Sequence, residues 1–281
     1  MTEDGPRQFS LAYLTVFGSP PRRMVQIAAE TDYDFVSLRL APVTENEPTF
    51  PFTTDPALVA DVVKALDEYG ISVLDVELIR TDPGTKTADW RDFVAVAEEL
   101  GARHIITQIP EPDIGKAVET FQEICDLGAQ SGMTIDLEFI PWTPTKDLAA
   151  AVEIVTQAGS PNGAILVDTL HFARSSSSLT HLADLPEKLV NFIQLCDARD
   201  VWSISDQEFI RVARSDREPP GQANLDLRPI VETMPRVPYA LEVPNDVRRQ
   251  ELGVERYAGM VREAAETFFD EIDAEPPGTG R

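Results

Sequence analysis

The chain has 281 residues, 43% of them apolar, 26% charged and 7% aromatic, the composition of a folded soluble protein rather than of a disordered tail or a membrane-embedded one. Against 24 Lys and Arg stand 48 Asp and Glu, a formal net charge of −24. A surface of that sign repels phosphate backbones and anionic lipid, which excludes nucleic acid and membranes as expected partners and leaves small molecules. The acidity suits plain solubility, or a salty cytoplasm in which screening relieves the self-repulsion. Cys125 and Cys196 show no metal-binding spacing and read as buried thiols. The first residues carry neither a basic nor an apolar signal region and no run of about 18 apolar residues occurs, so the expected location is cytoplasmic.

Short apolar, β-branched runs alternate with longer amphipathic segments along the chain. After a polar stretch, 1–7, expected to be a mobile tail, the strand Leu11–Phe17 leads to a helix over Pro21–Glu30. Phe35–Leu40 leads to Asp55–Tyr69, Ser72–Leu78 to Asp89–Leu100, and His104–Gln108 to Asp113–Ser131. Thr134–Phe139 leads to Thr145–Ala158, Ala164–Val167 to Leu182–Leu189, Phe192–Leu195 to Leu227–Thr233, and Tyr239–Val243 to Val247–Phe269. Several helices open on Asp, Thr or Pro and stop at glycine, as at Gly70, Gly101 and Gly159. Eight strand-then-helix units predict an α/β fold, a single (β/α)8 barrel over 8–273, followed by a second mobile tail at 274–281. An open doubly wound sheet is the competitor. It would be favoured by a glycine-rich phosphate loop after the first strand, where the chain instead reads Gly18-Ser19-Pro20-Pro21.

In such a barrel the chemistry gathers at the C-terminal ends of the strands. Strands five to eight end in Asp136-Leu137-Glu138, Val167-Asp168, Ile193-Gln194 and Leu241-Glu242. Three carboxylates converging on one mouth cannot all stay ionised unless protons or a cation neutralise them. A divalent ion held by Glu138, Asp168, Gln194 and Glu242 is the economical solution, and oxygen-only ligation favours Mn²⁺ or Mg²⁺ over Zn²⁺. His171, three residues after Asp168, is expected in the loop above that ion as an acid/base or supporting group. His104 starts strand four, the opposite end of the barrel, and His181 falls in a polar loop. On strands two and three Arg39 and Glu77 are candidate pocket residues, with a mutual buried ion pair as the alternative. The connection after strand seven carries Arg211, Arg214 and Arg217 and is long enough to fold over the mouth. Arg217 is the candidate there for gripping a carbonyl, carboxylate or phosphate of the substrate.

Asp136-Leu137-Glu138-Phe139, Val167-Asp168-Thr169-Leu170-His171, Gln194-Leu195-Cys196-Asp197, Pro220-Gly221-Gln222 and Leu241-Glu242-Val243, in this order, resemble the xylose isomerase-like sugar isomerase/epimerase superfamily of metal-dependent barrels. The likeness covers most of the chain. It implies one divalent metal and proton removal α to a carbonyl by two metal-bound glutamates, positions that Glu138 and Glu242 match. Gln194 departs from the histidine usual in ketose epimerases and resembles the glutamine of certain 3-dehydroshikimate dehydratases. Gln222-Ala223 likewise replaces the Glu-Gly frequent in relatives.

The expectation is therefore a metal-dependent isomerase or epimerase of a small polyhydroxylated carbonyl compound, with Glu138, Glu242 and His171 as catalytic groups. The alternatives are a lyase of the dehydroshikimate dehydratase type, with His171 as base and an arginine on the substrate carboxylate, and a non-catalytic metabolite-binding barrel. Association into a homo-oligomer is left open.

Overall fold

Parallel strands covered by helices outside and plugged by side chains inside are buried on both faces, which is why their sequences are apolar almost throughout. In the computed structural model, which describes residues 5–44, 47–81, 86–199 and 205–274, eight parallel strands close in sequential order, β1 pairing with both β2 and β8. They are β1 Phe9–Leu11, β2 Phe35–Arg39, β3 Ser72–Arg80, β4 His104–Gln108, β5 Thr134–Glu138, β6 Gly163–Asp168, β7 Ile193–Leu195 and β8 Tyr239–Leu241. The helices are α1 Pro21–Glu30, α2 Pro56–Tyr69, α3 Arg91–Glu99, α4 Ile114–Ala129, α5 Leu148–Ala158, α6 Thr169–Ala173, α7 Leu179–Ala183, α8 Asp206–Ser215, α9 Leu227–Thr233, α10 Asp246–Leu252 and α11 Val254–Ala274. Among the described residues no helix is long and apolar enough to cross a membrane.

Alternate residues of a strand share a face, and this period stacks the barrel interior in layers. Ile106, Leu166, Phe192 and Ala240 belong to one apolar cluster with Phe35. Two residues further along the same strands come Gln108, Asp168, Gln194 and Glu242, all buried. The apolar layer is thus a floor, and the polar side chains stand on it at the C-terminal end. Below it lies a second polar group, in which Asn191 Nδ2 donates to Asp136 Oδ1 at 2.9 Å and His104 Nδ1 is 2.6 Å from Thr134 Oγ1. His104 is therefore part of the structure at the far end, and His181 is exposed. Both cysteines are free and buried.

Four local expectations are corrected. The first strand ends at Leu11, and Tyr13–Val16 form a 3₁₀ turn instead of continuing it. Thr15 explains the departure: its hydroxyl donates to the Leu241 carbonyl at 2.7 Å and accepts from Val243 N–H at 2.8 Å, so the chain leaves the sheet to cap β8. The expected helix 182–189 is cut by Pro186, leaving α7 and a 3₁₀ turn over Glu187–Leu189. The last helix is broken at Gly253, whose φ of +81° lies outside the helical region. Part of the connection after β7 is helical, α8, capped by Ser205, whose Oγ accepts from Glu208 N–H. Of the two expected tails, residues 1–4 and 275–281 lie outside the described residues. Arg7 is held to α11 by an ion pair of 2.5 Å with Asp273.

Candidate active site

Strand register places the candidate residues side by side, since Asp168 pairs with Gln194 and Glu138 with Leu166 two residues before Asp168. Asp168 also ends β6 as the N-cap of α6, its Oδ1 accepting from Leu170 N–H at 2.8 Å and His171 N–H at 3.0 Å. His171 therefore rises from the first turn of a helix rather than from the expected loop. Its Nε2 lies 3.6 Å from Glu138 Oε1, and the edge of its ring meets Trp142 with centroids 5.2 Å apart. Glu138, Asp168 and His171 each offer a ligand atom, all within 4.8 Å of one another, and all three residues are buried.

Glu242 stands outside that triad. Its Oε1 accepts from Gln194 Nε2 at 3.2 Å and its Oε2 lies 2.9 Å from Arg217 Nη2. Arg217 in turn donates through Nη1 to Asp168 Oδ2 at 2.5 Å and through Nε to the Ala213 carbonyl at 2.8 Å. Arg217, the candidate for gripping the substrate, lines the same cavity as Glu138 and His171, but its guanidinium is 2% exposed and its donors are turned onto protein acceptors. Arg39 and Glu77 form the buried pair that was the alternative reading, Nη2 to Oε2 at 2.6 Å, with Glu47 Oε1 3.2 Å from Arg39 Nη1. Yet Arg39 Nε and Glu77 Oε1 keep no hydrogen-bond partner among the described residues although buried, and both residues line the same cavity as Glu138, His171, Gln194 and Glu242.

Burial governs the charges. It pushes the Glu138 carboxyl up to about 7, helped by the negative charge of Asp168. It pushes the His171 imidazole down to about 4, outweighing the pull of Asp168, so the ring is neutral at pH 7. Burial also opposes ionisation of Asp168, but Arg217 and then His171 outweigh it and hold that carboxyl below its ordinary value. Glu242 is driven well above its ordinary value by burial, against the pull of Arg217.

The cavity measures about 290 Å³, at the lower end of the range of roughly 300–1,000 Å³ found for small-molecule sites. Several lining residues were not singled out from sequence. Gln108 donates to Glu138 Oε2 at 2.6 Å, Glu47 accepts from Val43 N–H at 2.8 Å, and Arg80 donates to Gln108 Oε1 at 2.9 Å. Gln108 was legible by the rule that found Gln194, a polar residue closing an apolar strand. Of the three arginines singled out after β7, Arg211 is tied on the surface to Glu208 and Asp216, and Arg217 and Arg214 line the cavity, Arg217 buried in ion pairs and Arg214 without an ion pair to any described residue. Partial burial, then the positive charges of Arg80 and, less strongly, Arg39, lower the Arg214 guanidinium from its ordinary value.

Two quoted sequence phrases serve the scaffold. Asp197 accepts from the N–H groups of Ala198, Ala223 and Leu225 at 2.7 to 2.9 Å, and Gln222 Oε1 accepts from Arg248 at 2.9 Å.

The sequence pattern of the xylose isomerase-like TIM barrels matches residues 25–266. The chain belongs to that family. Among its curated relatives, a 3-dehydroshikimate dehydratase of Pseudomonas aeruginosa is 26% identical over 256 residues, 85% of this chain but 38% of that longer protein. The chain thus spans well under half of the dehydratase. An inosose isomerase of Bacillus licheniformis is 24% identical over 194 residues, 66% of this barrel and 68% of the isomerase. Among solved structures, an IolI protein described with a bound zinc atom superimposes with a TM-score of 0.80 at 16% identity, covering 95% of this barrel and 100% of that chain. The curated relatives named here are thus a dehydratase and an isomerase, and a solved D-allulose 3-epimerase of Methylomonas sp. shares the fold.

Proposed function

We propose that this barrel is a metal-dependent enzyme that removes a proton α to a carbonyl of a small polyhydroxylated compound, and that the reaction ends in dehydration of a carboxylated substrate. The metal rests on two observations. Glu138, Asp168 and His171 converge within 4.8 Å, and Gln194 Oε1, in a residue 2% exposed, has no hydrogen-bond partner among the described residues. A buried carbonyl oxygen without a donor is costly unless something electropositive meets it. Glu138, Asp168, Gln194 and Glu242 would hold the ion, with His171 beside them; the four oxygen donors favour Mn²⁺ or Mg²⁺, and a nitrogen from His171 would admit Zn²⁺. When bound, the ion supplies Lewis-acid stabilisation of the carbonyl oxygen as negative charge develops on it.

The asymmetry of the two glutamates carries the choice of reaction. Epimerisation by two glutamates needs a proton acceptor on each face of the substrate carbon. Glu242 has both oxygens engaged, one by Gln194 and one by Arg217, whereas Glu138 Oε1 and the neutral His171 meet across 3.6 Å at the cavity wall. One-sided chemistry fits that arrangement. The C–H bond α to the carbonyl breaks toward Glu138 or His171, the β C–O bond breaks as the carbon–carbon double bond forms, and the same proton leaves with the hydroxyl as water. Arg39 and Glu77, which line the cavity, would bind hydroxyl groups, and Arg214 would bind the carboxylate.

The test is incubation of the metal-loaded protein with a panel of carboxylated cyclitol-type compounds, 3-dehydroshikimate among them, and of uncharged ketoses and inososes, read by mass spectrometry. Loss of the mass of one water from a carboxylated substrate is the expected result. Conversion of an uncharged substrate without change of mass supports isomerisation and overturns the dehydratase reading.

A further inference from the structure

Among the described residues Arg217 is the largest fully buried side chain, and it carries a charge. Its backbone is fixed from both sides, the N–H donating to the Pro244 carbonyl at 2.9 Å and the carbonyl accepting from Asn245 Nδ2 at 2.8 Å. From that anchor the guanidinium reaches between two strand ends, Nη1 onto Asp168 of β6 and Nη2 onto Glu242 beyond β8. Nη1 also lies 3.4 Å from Cys196 Sγ and 3.4 Å from the Glu242 carbonyl. A buried arginine with this many fixed acceptors is held in one orientation.

We propose that Arg217 is the positioning residue of the metal centre, a built-in counter-charge that sets both the geometry and the charge of the ligand set. The inference rests on the metal site proposed above. Glu138, Asp168 and Glu242 would present three negative charges to an ion. The guanidinium, shared between Asp168 and Glu242, cancels one and leaves two, which matches a divalent cation. It also holds the two carboxylates apart and pointed before any ion arrives, which lowers the ordering needed on binding. A lysine cannot do both, because a single ammonium on a flexible stem lacks the planar fork that bridges two carboxylates.

The charge claim separates this role from ordinary support. Removing the guanidinium makes the site one unit more negative, and that unit favours a trivalent ion over a divalent one. A packing defect weakens both ions alike. The experiment measures the affinities of chelator-treated wild type, Arg217→Met and Arg217→Lys for Mn²⁺ by calorimetry and for Tb³⁺ by luminescence. In Arg217→Met the preference for Tb³⁺ over Mn²⁺ is expected to rise by about tenfold or more, the Coulomb gain of one added charge at close range. In Arg217→Lys the preference stays at the wild-type value while both affinities fall by about tenfold. A preference unmoved in Arg217→Met, or a wild-type Mn²⁺ affinity in Arg217→Lys, overturns the proposal; the second measurement stands even if Arg217→Met does not fold. Wild type binding neither ion overturns the metal site itself, a separate failure.

Discussion

The side-chain amide of Gln194 donates to Glu242 Oε1 at 3.2 Å, and its own carbonyl oxygen is buried with no donor among the described residues. One side chain thus orients a neighbouring carboxylate and presents an unused lone pair. Gln194→Ala removes both, and a fall in Mn²⁺ affinity of at least about tenfold is expected by calorimetry, in the range seen when groups that orient metal ligands are lost. Gln194→His should keep a metal but move the preference toward Zn²⁺. Unchanged affinity in the alanine variant would mean that Gln194 is no ligand.

Glu138 and His171 face each other, and their variants separate the two enzyme outcomes. Glu138→Gln is expected to abolish turnover, since it removes a carboxylate of the cluster and the acceptor next to His171. His171→Asn should lower kcat by about 10²–10⁴ with metal still bound if the imidazole moves the proton. If two glutamates exchange protons instead, the same variant mainly raises KM, and a product formed in D₂O carries deuterium at the inverted carbon.

Arg214 gives a substrate-level prediction. Arg214→Gln should raise KM for a carboxylated substrate by about tenfold or more, since a charge-assisted hydrogen bond is worth roughly 1.5–3 kcal/mol. Equal KM in the two proteins argues for an uncharged ligand.

Asp75, buried on β3 two residues before Glu77, gives a stability prediction. Its carboxyl is held well above its ordinary value, first by burial and then by the charge of Glu77, although Ser37 Oγ donates to it at 2.5 Å. The folded chain therefore keeps a proton that the unfolded chain has released, so stability from this group is complete below about pH 3.9 and is lost as pH rises toward the raised folded value. Asp75→Asn removes that titration. It should melt higher than wild type at pH 8 by a few degrees, with the advantage narrowing toward pH 4. A difference constant with pH would show that Asp75 does not titrate in this window.

Salt and metal should both stabilise, to different degrees. A net charge of −24 imposes a self-repulsion that about 0.15 M salt screens over roughly 8 Å. Millimolar Mn²⁺ or Mg²⁺, binding only the folded state, should raise the melting temperature beyond an ionic-strength-matched monovalent salt. Equal curves count against a specific site.

The barrel and the ends of β5 to β8 were legible because each polar residue there interrupts a run that is otherwise apolar on both faces; Glu138, Asp168, Gln194 and Glu242 needed nothing more. The overlong first strand came from Thr15 to Phe17, whose β-propensity holds in the 3₁₀ turn as well as in a strand, and only the contact of Thr15 with β8 decides between them. Helix α8 had its own signal, Ser205 followed by Asp206 and Glu208 in the first turn. The pairing of Arg217 had none: its carboxylates lie 49 and 25 positions away, and only closure of the barrel brings them together.

The arginine-lined mouth has a consequence for how molecules arrive. An anion approaching from a distance meets the field of an acidic surface, and within about a Debye length of the opening it also meets Arg214 and Arg80. For an anionic ligand, encounter is therefore slowed by the far field and capture is aided by the near one. Moderate salt screens the long-range repulsion first, so kcat/KM would climb with ionic strength before falling as the capture itself is screened. A neutral ligand would traverse the same approach indifferent to salt.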